Sequence, residues 1–558
     1  MWLNSKSKLT ELLNRLVKVP SVSGTTKEQG MAEEVHNILY EIPYFQSHSE
    51  YLDINKLPHD KLDRSYVTAL LKGKGRNTVI LLHHHDVVDT EDYGSLKQHA
   101  FDTDSITNKM HDFDLPEEAR CDLKSGEWIF GRGVMDMKAG AALQMALMHD
   151  YSQKIDEFEG NIVLVSVPDE ENNSEGILAA VPHLIDLQNR YDLEYISVIK
   201  SESHQPDDDG KNDIAIGSIG KILPLVYCFG KETHGGNPFG GINSSLIFSQ
   251  VQSLLEKNTE FCDEFKGELT PPPVNLKLND LRGVYNVTTP QVTVGYYNIL
   301  TITSSPYDIL TKLKKVGEQA LTNAMNIYTD QFNSFQNLAG PEGLSNSWGT
   351  SENESLNWEP KVYTFQELYD SAYEAWGETF IKEYEQAATE LKDQDLDVRE
   401  YSIQLVNKAH DYCPDRNPKI VLAFLPPFYP HVKNNRQTDK ELFMVNEVVP
   451  NLCQEGKEKH GLDFNITEFF KGISDLSFFS VPESKDISKY MNPNMPALDH
   501  VYNLPIEDIG KLDVSVVNVG PVGKDAHQYT ERLHMPFFTE TAPTLLKHTV
   551  DQVLKYQK

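Results

Sequence analysis

The sequence predicts an α/β protein: a mostly parallel sheet covered by helices, interrupted by a smaller α+β domain that carries a helical insertion. Three observations lead there. Continuous apolar runs at 77–86 (NTVILLHHHD), 161–170 (NIVLVSVPDE) and 195–203 (YISVIKSES) alternate with helix-like stretches, as strands buried on both faces do. From Gly217 the texture changes to half-exposed strands, KILPLVYCFGKETHGG and PQVTVGYYNILTI, with alternating polarity. The last hundred residues return to alternating strand and helix. The expected organisation is a main domain in two segments, 1–216 and 436–558, around a smaller domain at 217–435 with an acidic helical insertion at about 331–415.

Taken in order, the first twenty residues interleave Lys6, Lys8, Glu11 and Arg15 with apolar positions, which predicts an amphipathic helix and not a secretory leader. PSVSGTTKEQGMAEEVHNIL reads as a loop entering a second helix, with Thr25 and Glu28 at capping-box spacing. Another apolar run covers 140–151 (GAALQMALMHDY), and helices are expected near 176–190, 243–256 and 306–328. Residues 331–360, rich in Asn, Ser, Gly and Pro, predict a long loop. Phe365, Leu368, Tyr373, Trp376, Phe380 and Tyr384 then recur at helical spacing, while residues 351–400 hold 14 acids against 4 bases. An aromatic stripe opposite that charge points to a folded subdomain with a solvated face, not an acidic tail. KIVLAFLPPFYPHV (419–432) is one more strand of the smaller domain, and a helix near 439–458 follows.

Composition narrows the function classes. The chain has 558 residues, 51 Lys plus Arg against 83 Asp plus Glu, and a net charge of −32; this disfavours nucleic acid or an anionic membrane as partner, since both demand clustered basic charge. No apolar run approaches the roughly 20 residues of a membrane span. Cys121, Cys228, Cys262, Cys413 and Cys453 are far apart and form no CxxC pair, so they read as reduced thiols of a cytoplasmic protein.

The chemistry-bearing residues cluster after predicted strands. In HHHD, alternation along a strand puts His84 and Asp86 on one face and His83 and His85 on the other, and an imidazole beside a carboxylate suits a metal ligand with its orienting group. GRGVMDMKAG places Asp136 after two glycines and before a helix, where capping is the competing role. PDEE ends an apolar strand with Asp169, Glu170 and Glu171, whose mutual repulsion is relieved if one binds a cation and another shares a proton with water. Glu202 in KSESH and His527 near the C-terminus complete a set of oxygen and nitrogen donors. Without thiolates, the set suits a hydrolytic zinc, cobalt or manganese site, and in open α/β sheets such groups gather at the carboxyl ends of strands.

In order and context, VKVPSVSG, HHHDVV, GRGVMDMKAG, PDEE, the KSES carboxylate, GKETHGGNPFGGINSS, GISDLSFF and the late His527 resemble the dinuclear zinc amidohydrolases and exopeptidases. That family includes acetylornithine deacetylase, succinyl-diaminopimelate desuccinylase and glutamate carboxypeptidase. The length and acidic insertion look most like its arginine-utilisation RocB branch. The resemblance implies that the main domain is catalytic and the smaller one a lid, and that Asp136 bridges two divalent ions, zinc first among them. His84 and Glu202 would complete one site, and Glu171 and His527 the other. Asp86 would orient His84, Glu170 would be the general base, and Asp475 would be structural. His234 and Asn243 match the lid motif, whose histidine often reaches a partner subunit's active site in a homodimer. The implied reaction is amide or peptide hydrolysis of a small N-acyl amino acid or short peptide, with arginine or amino-acid catabolism as its setting. Two other classes stand beside it: a non-catalytic metal-binding module on the same fold, which would not need Glu170, and a two-metal phosphoesterase, which would need basic clusters this chain lacks. The family's carboxylate-binding arginine has no counterpart in GYYNILTI; Arg282, Lys231 and Asn243 are the candidates to replace it.

Overall fold

The computed structural model describes residues 1–338, 361–394, 396–481 and 484–557, and divides into two compact units. The first comprises Met1–Ile219, His431–Pro482 and Pro505–Lys558; the second comprises Gly220–Pro430 and Glu483–Leu504. Residues 483–504, read from sequence as part of the second main-domain segment, thus cluster with the other unit. Two helical turns there pack on it through Tyr490, whose ring lies tilted 4.7 Å from that of Tyr307, and through Asn494, which accepts from the Gln366 backbone N–H.

The first unit is built on an eight-stranded sheet in the order Leu52–Lys56, Ser65–Lys72, Asn161–Val167, Asn77–His84, Glu194–Lys200, Ser515–Asn518, Asn212–Ala215, Phe464–Thr467. Its centre is parallel: Asn77–His84 pairs on both sides with strands running the same way, and Ser515–Asn518 extends the array. Ser65–Lys72 and Leu52–Lys56 close one edge antiparallel. The central strands are buried along nearly their whole length because helices cover both faces. The run at 140–151 is one of those helices, Ala139–Ser152, apolar almost all round and buried. The first helix, Lys6–Val17, buries Leu9, Leu12, Leu13, Leu16 and Val17 as its periodicity predicts.

The capping box expected at Thr25 and Glu28 does not form. Thr26 is the N-cap and makes no side-chain cap, while Glu28 turns inward, fully buried, accepting from the backbone of Gly24 and of Asp169. A tertiary partner outcompeted the local one. Arg64 joins this network, pairing with Asp169 at 2.6 Å and with Asp60 and Glu175.

The second unit holds a five-stranded sheet ordered Val274–Asp280, Val292–Thr301, Gly220–Phe229, Lys419–Tyr429, Lys361–Thr364, antiparallel except for the last pair. Helix Ser244–Leu255 lies close on it at Gly295, where an added Cβ would come within 2.4 Å of the Phe248 ring. The helix expected at 306–328 continues to Leu338, so 331–338 is helical and not loop; residues 339–360 of the expected loop lie outside the described residues. The aromatic stripe spans two helices, Phe365–Trp376 and Glu378–Lys392, broken at Gly377, whose φ of 54° suits glycine. Phe365, Leu368, Phe380 and Tyr384 are buried, but Tyr373 and Trp376 are exposed, at 45% and 55%, because the break turns the last turn of the first helix outward.

Candidate metal centre

The three longest parallel strands end side by side at His84, Val167 and Lys200, and the chain just beyond each carries the chemistry. His84 is buried at its strand end. Its Nδ1 donates to the Asp86 carbonyl at 3.1 Å with the Asp86 carboxylate 3.6 Å away, leaving Nε2 facing inward. His83 and His85, on the other face, bond Gln144 and Ser166. The Asp86 carboxylate itself is engaged elsewhere: its two oxygens accept from the backbone N–H groups of Glu170 and Glu171, at 3.1 and 3.2 Å, and from the Ser23 hydroxyl. One buried carboxylate therefore fixes the PDEE turn against the HHHD strand. That turn needs fixing, since Asp169 sits at a φ of 70°.

Asp136 lies between two histidines. Its Oδ1 is 3.0 Å from His84 Nε2 and its Oδ2 3.0 Å from His527 Nε2. Glu202 approaches the His84 side, 3.7 Å from Nε2, and Glu171 the His527 side, at 3.1 Å. Potential ligand atoms of His84, Asp136 and Glu171, and likewise of His84, Glu170 and Glu202, lie within 4.8 Å of one another. Asp136 is not a helix cap; it sits one turn before helix Ala139–Ser152, with nonhelical backbone.

This donor set fits divalent cations. Burial and the neighbouring Asp136 charge push Glu171 up to about 8, and burial with Asp136 and Glu170 holds Glu202 well above the ordinary carboxylate range despite the opposing Lys200 charge. Acids so crowded retain protons unless a cation takes their place. The imidazoles respond in the opposite sense. Hydrogen bonds to Asp136 and Glu171 push His527 up to about 11; burial opposes protonation of His84, but the Glu170 charge and bonds to Asp136 and Asp86 raise it nonetheless. Oxygen and nitrogen ligands without sulfur match zinc, cobalt or manganese.

His234 and Asn243 belong to the second unit. His234 is exposed in a loop, its Nδ1 accepting from the Gly236 N–H, and Asn243 caps helix Ser244–Leu255 by accepting from Ser245. Asn243 thus uses its oxygen locally. Arg282, a candidate for the missing carboxylate-binding arginine, turns its guanidinium to Asp280 and the Thr288 carbonyl.

Three supporting residues were not singled out from sequence. Arg132, buried in GRG, pairs with Glu531 at 2.8 Å and with Asp92, and Glu531 accepts from the backbone of Met135 and Asp136. The pair holds the Asp136 loop from behind. Lys200 ends an apolar strand and reaches Glu170 and Glu202 at 2.6 and 2.9 Å. An Arg between two glycines, a Glu four residues after His527 and a Lys closing an apolar strand were the signals available.

An array of carboxylates and imidazoles, buried except for the half-exposed His527 and gathered beside the carboxyl ends of parallel strands, suits a metal-dependent hydrolase. The chain belongs to peptidase family M20/M25/M40, whose model matches residues 81–539. It is 36% identical to the uncharacterized protein YqjN of Bacillus subtilis, over 99% of this chain and 97% of that one, and 29% identical to protein RocB of the same organism, over 99% and 96%. In fold it is similar to the dipeptidase Dug1p of Saccharomyces cerevisiae (TM-score 0.52, 13% identity, 99% of this chain and 97% of that one). The metallo-carboxypeptidase Sso-CP2 of Sulfolobus solfataricus is comparable (TM-score 0.52, 13% identity, 98% of each).

Proposed function

We propose that this metallopeptidase cleaves an amide or peptide bond in a small N-acyl amino acid or short peptide, using two divalent ions. Asp136 would bridge them, with His84 and Glu202 on one side and Glu171 and His527 on the other. The single observation that carries this reading is Asp136 itself, whose two oxygens each face a different imidazole at 3.0 Å. Bound there, such ions would supply Lewis acidity for attack by water on the scissile carbonyl. Glu170 takes the proton of that water and hands it to the leaving amine. Asp86 keeps His84 in the tautomer that presents Nε2, and in a homodimer His234 of one protomer would stabilise the oxyanion in its partner's site.

The substrate class is tested by release of free amine from a panel of N-acyl amino acids and dipeptides, followed by mass spectrometry. Similarity to RocB and a net charge of −32, which favours neutral or cationic substrates, put arginine-containing members on the panel. Turnover is expected with Zn²⁺, Co²⁺ or Mn²⁺ and is expected to vanish on chelation and return on reloading. A protein loaded with two ions that releases no amine, or that cleaves a phosphoester instead, would overturn this reading. No helix among the described residues is long and apolar enough to cross a membrane, and all five cysteines are unpaired; both support a cytoplasmic setting.

A homodimer through the lid is part of the same reading. Strand Val274–Asp280 is the outer strand of the second unit's sheet, and Leu276 and Leu278 are more than half exposed on it. An unpaired apolar edge invites a second strand. Leu276→Asp combined with Leu278→Asp is expected to convert a dimer to a monomer in light scattering. A wild-type monomer at micromolar concentration would remove the dimer, and with it any role for His234 in a partner's site.

A further inference from the structure

Lys200 closes the central strand Glu194–Lys200 and is 1% exposed. An ammonium has three N–H donors, and here each has an acceptor: Glu170 Oε1 at 2.6 Å, Glu202 Oε2 at 2.9 Å and Ser474 Oγ at 3.2 Å. The three acceptors come from three separate segments. Ser474 is itself fixed, fully buried and accepting from the Leu476 N–H, with Asp475 buried beside it. Lys200 therefore has an anchor besides the two glutamates, and does not merely follow them.

We propose that Lys200 is a positioning residue that ties Glu170 to Glu202, setting the distance between the base and one metal position. The inference rests on the reading of Glu170 as base and Glu202 as ligand. Asp86 fixes only the backbone of Glu170, and a glutamate side chain retains three rotatable bonds. Without the ammonium, two buried carboxylates face each other, and repulsion turns Glu170 away from the place where water must be deprotonated. A strand end that needed only packing would be served by Met or Leu. A buried cation is costly to desolvate and holds its place through the partners it fixes.

The test compares Lys200→Met and Lys200→Arg with Glu170→Ala and wild type, each loaded with Co²⁺ and with Zn²⁺. Lys200→Met is expected to lose about 100-fold or more in kcat, the scale of a misplaced catalytic group, with KM within about threefold and ion content by mass spectrometry unchanged. Lys200→Arg, which restores the charge, should recover about tenfold of that loss. Independently of turnover, the visible spectrum of the Co²⁺ form should change in Lys200→Met, because Glu202 is released from its second partner. Should Lys200→Met fail to fold, Lys200→Gln carries the same expectations. A folded, fully loaded Lys200→Met with wild-type kcat and cobalt spectrum overturns the tie, as does a loss of kcat that excess metal restores completely. Turnover surviving in Glu170→Ala overturns the base assignment instead, and this inference with it, whereas an inert Glu170→Ala beside an unaffected Lys200→Met overturns the tie alone.

Discussion

Glu170→Ala is expected to lower kcat by about 10³-fold, within the range that a positioned acid–base group contributes, while leaving ion content close to wild type. The expectation is this large because no neighbour can take over. Glu171 is held by His527 at 3.1 Å, Glu202 by Lys200 and His84, and Asp475 is fully buried behind Lys200. Glu170→Gln should be nearly as impaired, since an amide fills the same space but accepts no proton at neutral pH. Steady-state kinetics on the best panel substrate, with metal content measured on the same samples, checks both variants. A fully loaded Glu170→Ala retaining more than about a tenth of kcat would show that another group is the base and overturn the proposed role of Glu170.

His84, Asp86, Glu170, Glu171 and Glu202 were legible because each sits at or just past the end of an apolar strand, and the carboxyl ends of parallel strands converge by topology, whereas Asp136 and His527 follow no strand of that sheet. Strand alternation was enough to separate His84 and Asp86 from His83 and His85. What holds these residues was not legible. Glu28 reads as a helix cap but serves the PDEE turn, 141 residues away in sequence; Arg132 and Glu531, 399 apart, meet behind Asp136. Nothing local distinguishes a buried tertiary ion pair from two solvated side chains. The helix boundaries failed for related reasons. The polar 331–338 stretch stays helical as the end of a 33-residue helix, and the stripe from Phe365 to Tyr384 breaks at Gly377 because periodicity does not reveal a change of axis.

The stabilisation that divalent ions confer should grow with pH. In the metal-free fold Glu171 lies at about 8 and Glu202 well above its ordinary range, both chiefly through burial, while His527 is pushed up to about 11 by its bonds to Asp136 and Glu171. All three are raised above their unfolded values. Each therefore contributes stability that is complete below its unfolded pKa and is lost as pH rises through the folded one. Asp136 is lowered, its bonds to His527 and His84 outweighing burial, so its contribution disappears only in acid, outside this window. Between about pH 5 and pH 8 the folded, metal-free site thus binds protons that the unfolded chain has released, and its stability falls as pH rises. Cations bind the deprotonated ligands and displace those protons, so affinity rises over the same window. At a free concentration about 1,000 times Kd an ion adds about 4 kcal/mol, and raising the pH lowers Kd. Melting curves with and without Mn²⁺, measured at pH 5.5 and pH 8, should show the larger gain at pH 8. Asp136→Asn, which removes the anion shared by His84 and His527, should abolish the gain at both. An equal or smaller gain at pH 8 in the wild type would mean that the carboxylates are already ionised without metal, and that the crowding of Asp136, Glu171 and Glu202 is relieved by water and not by cations.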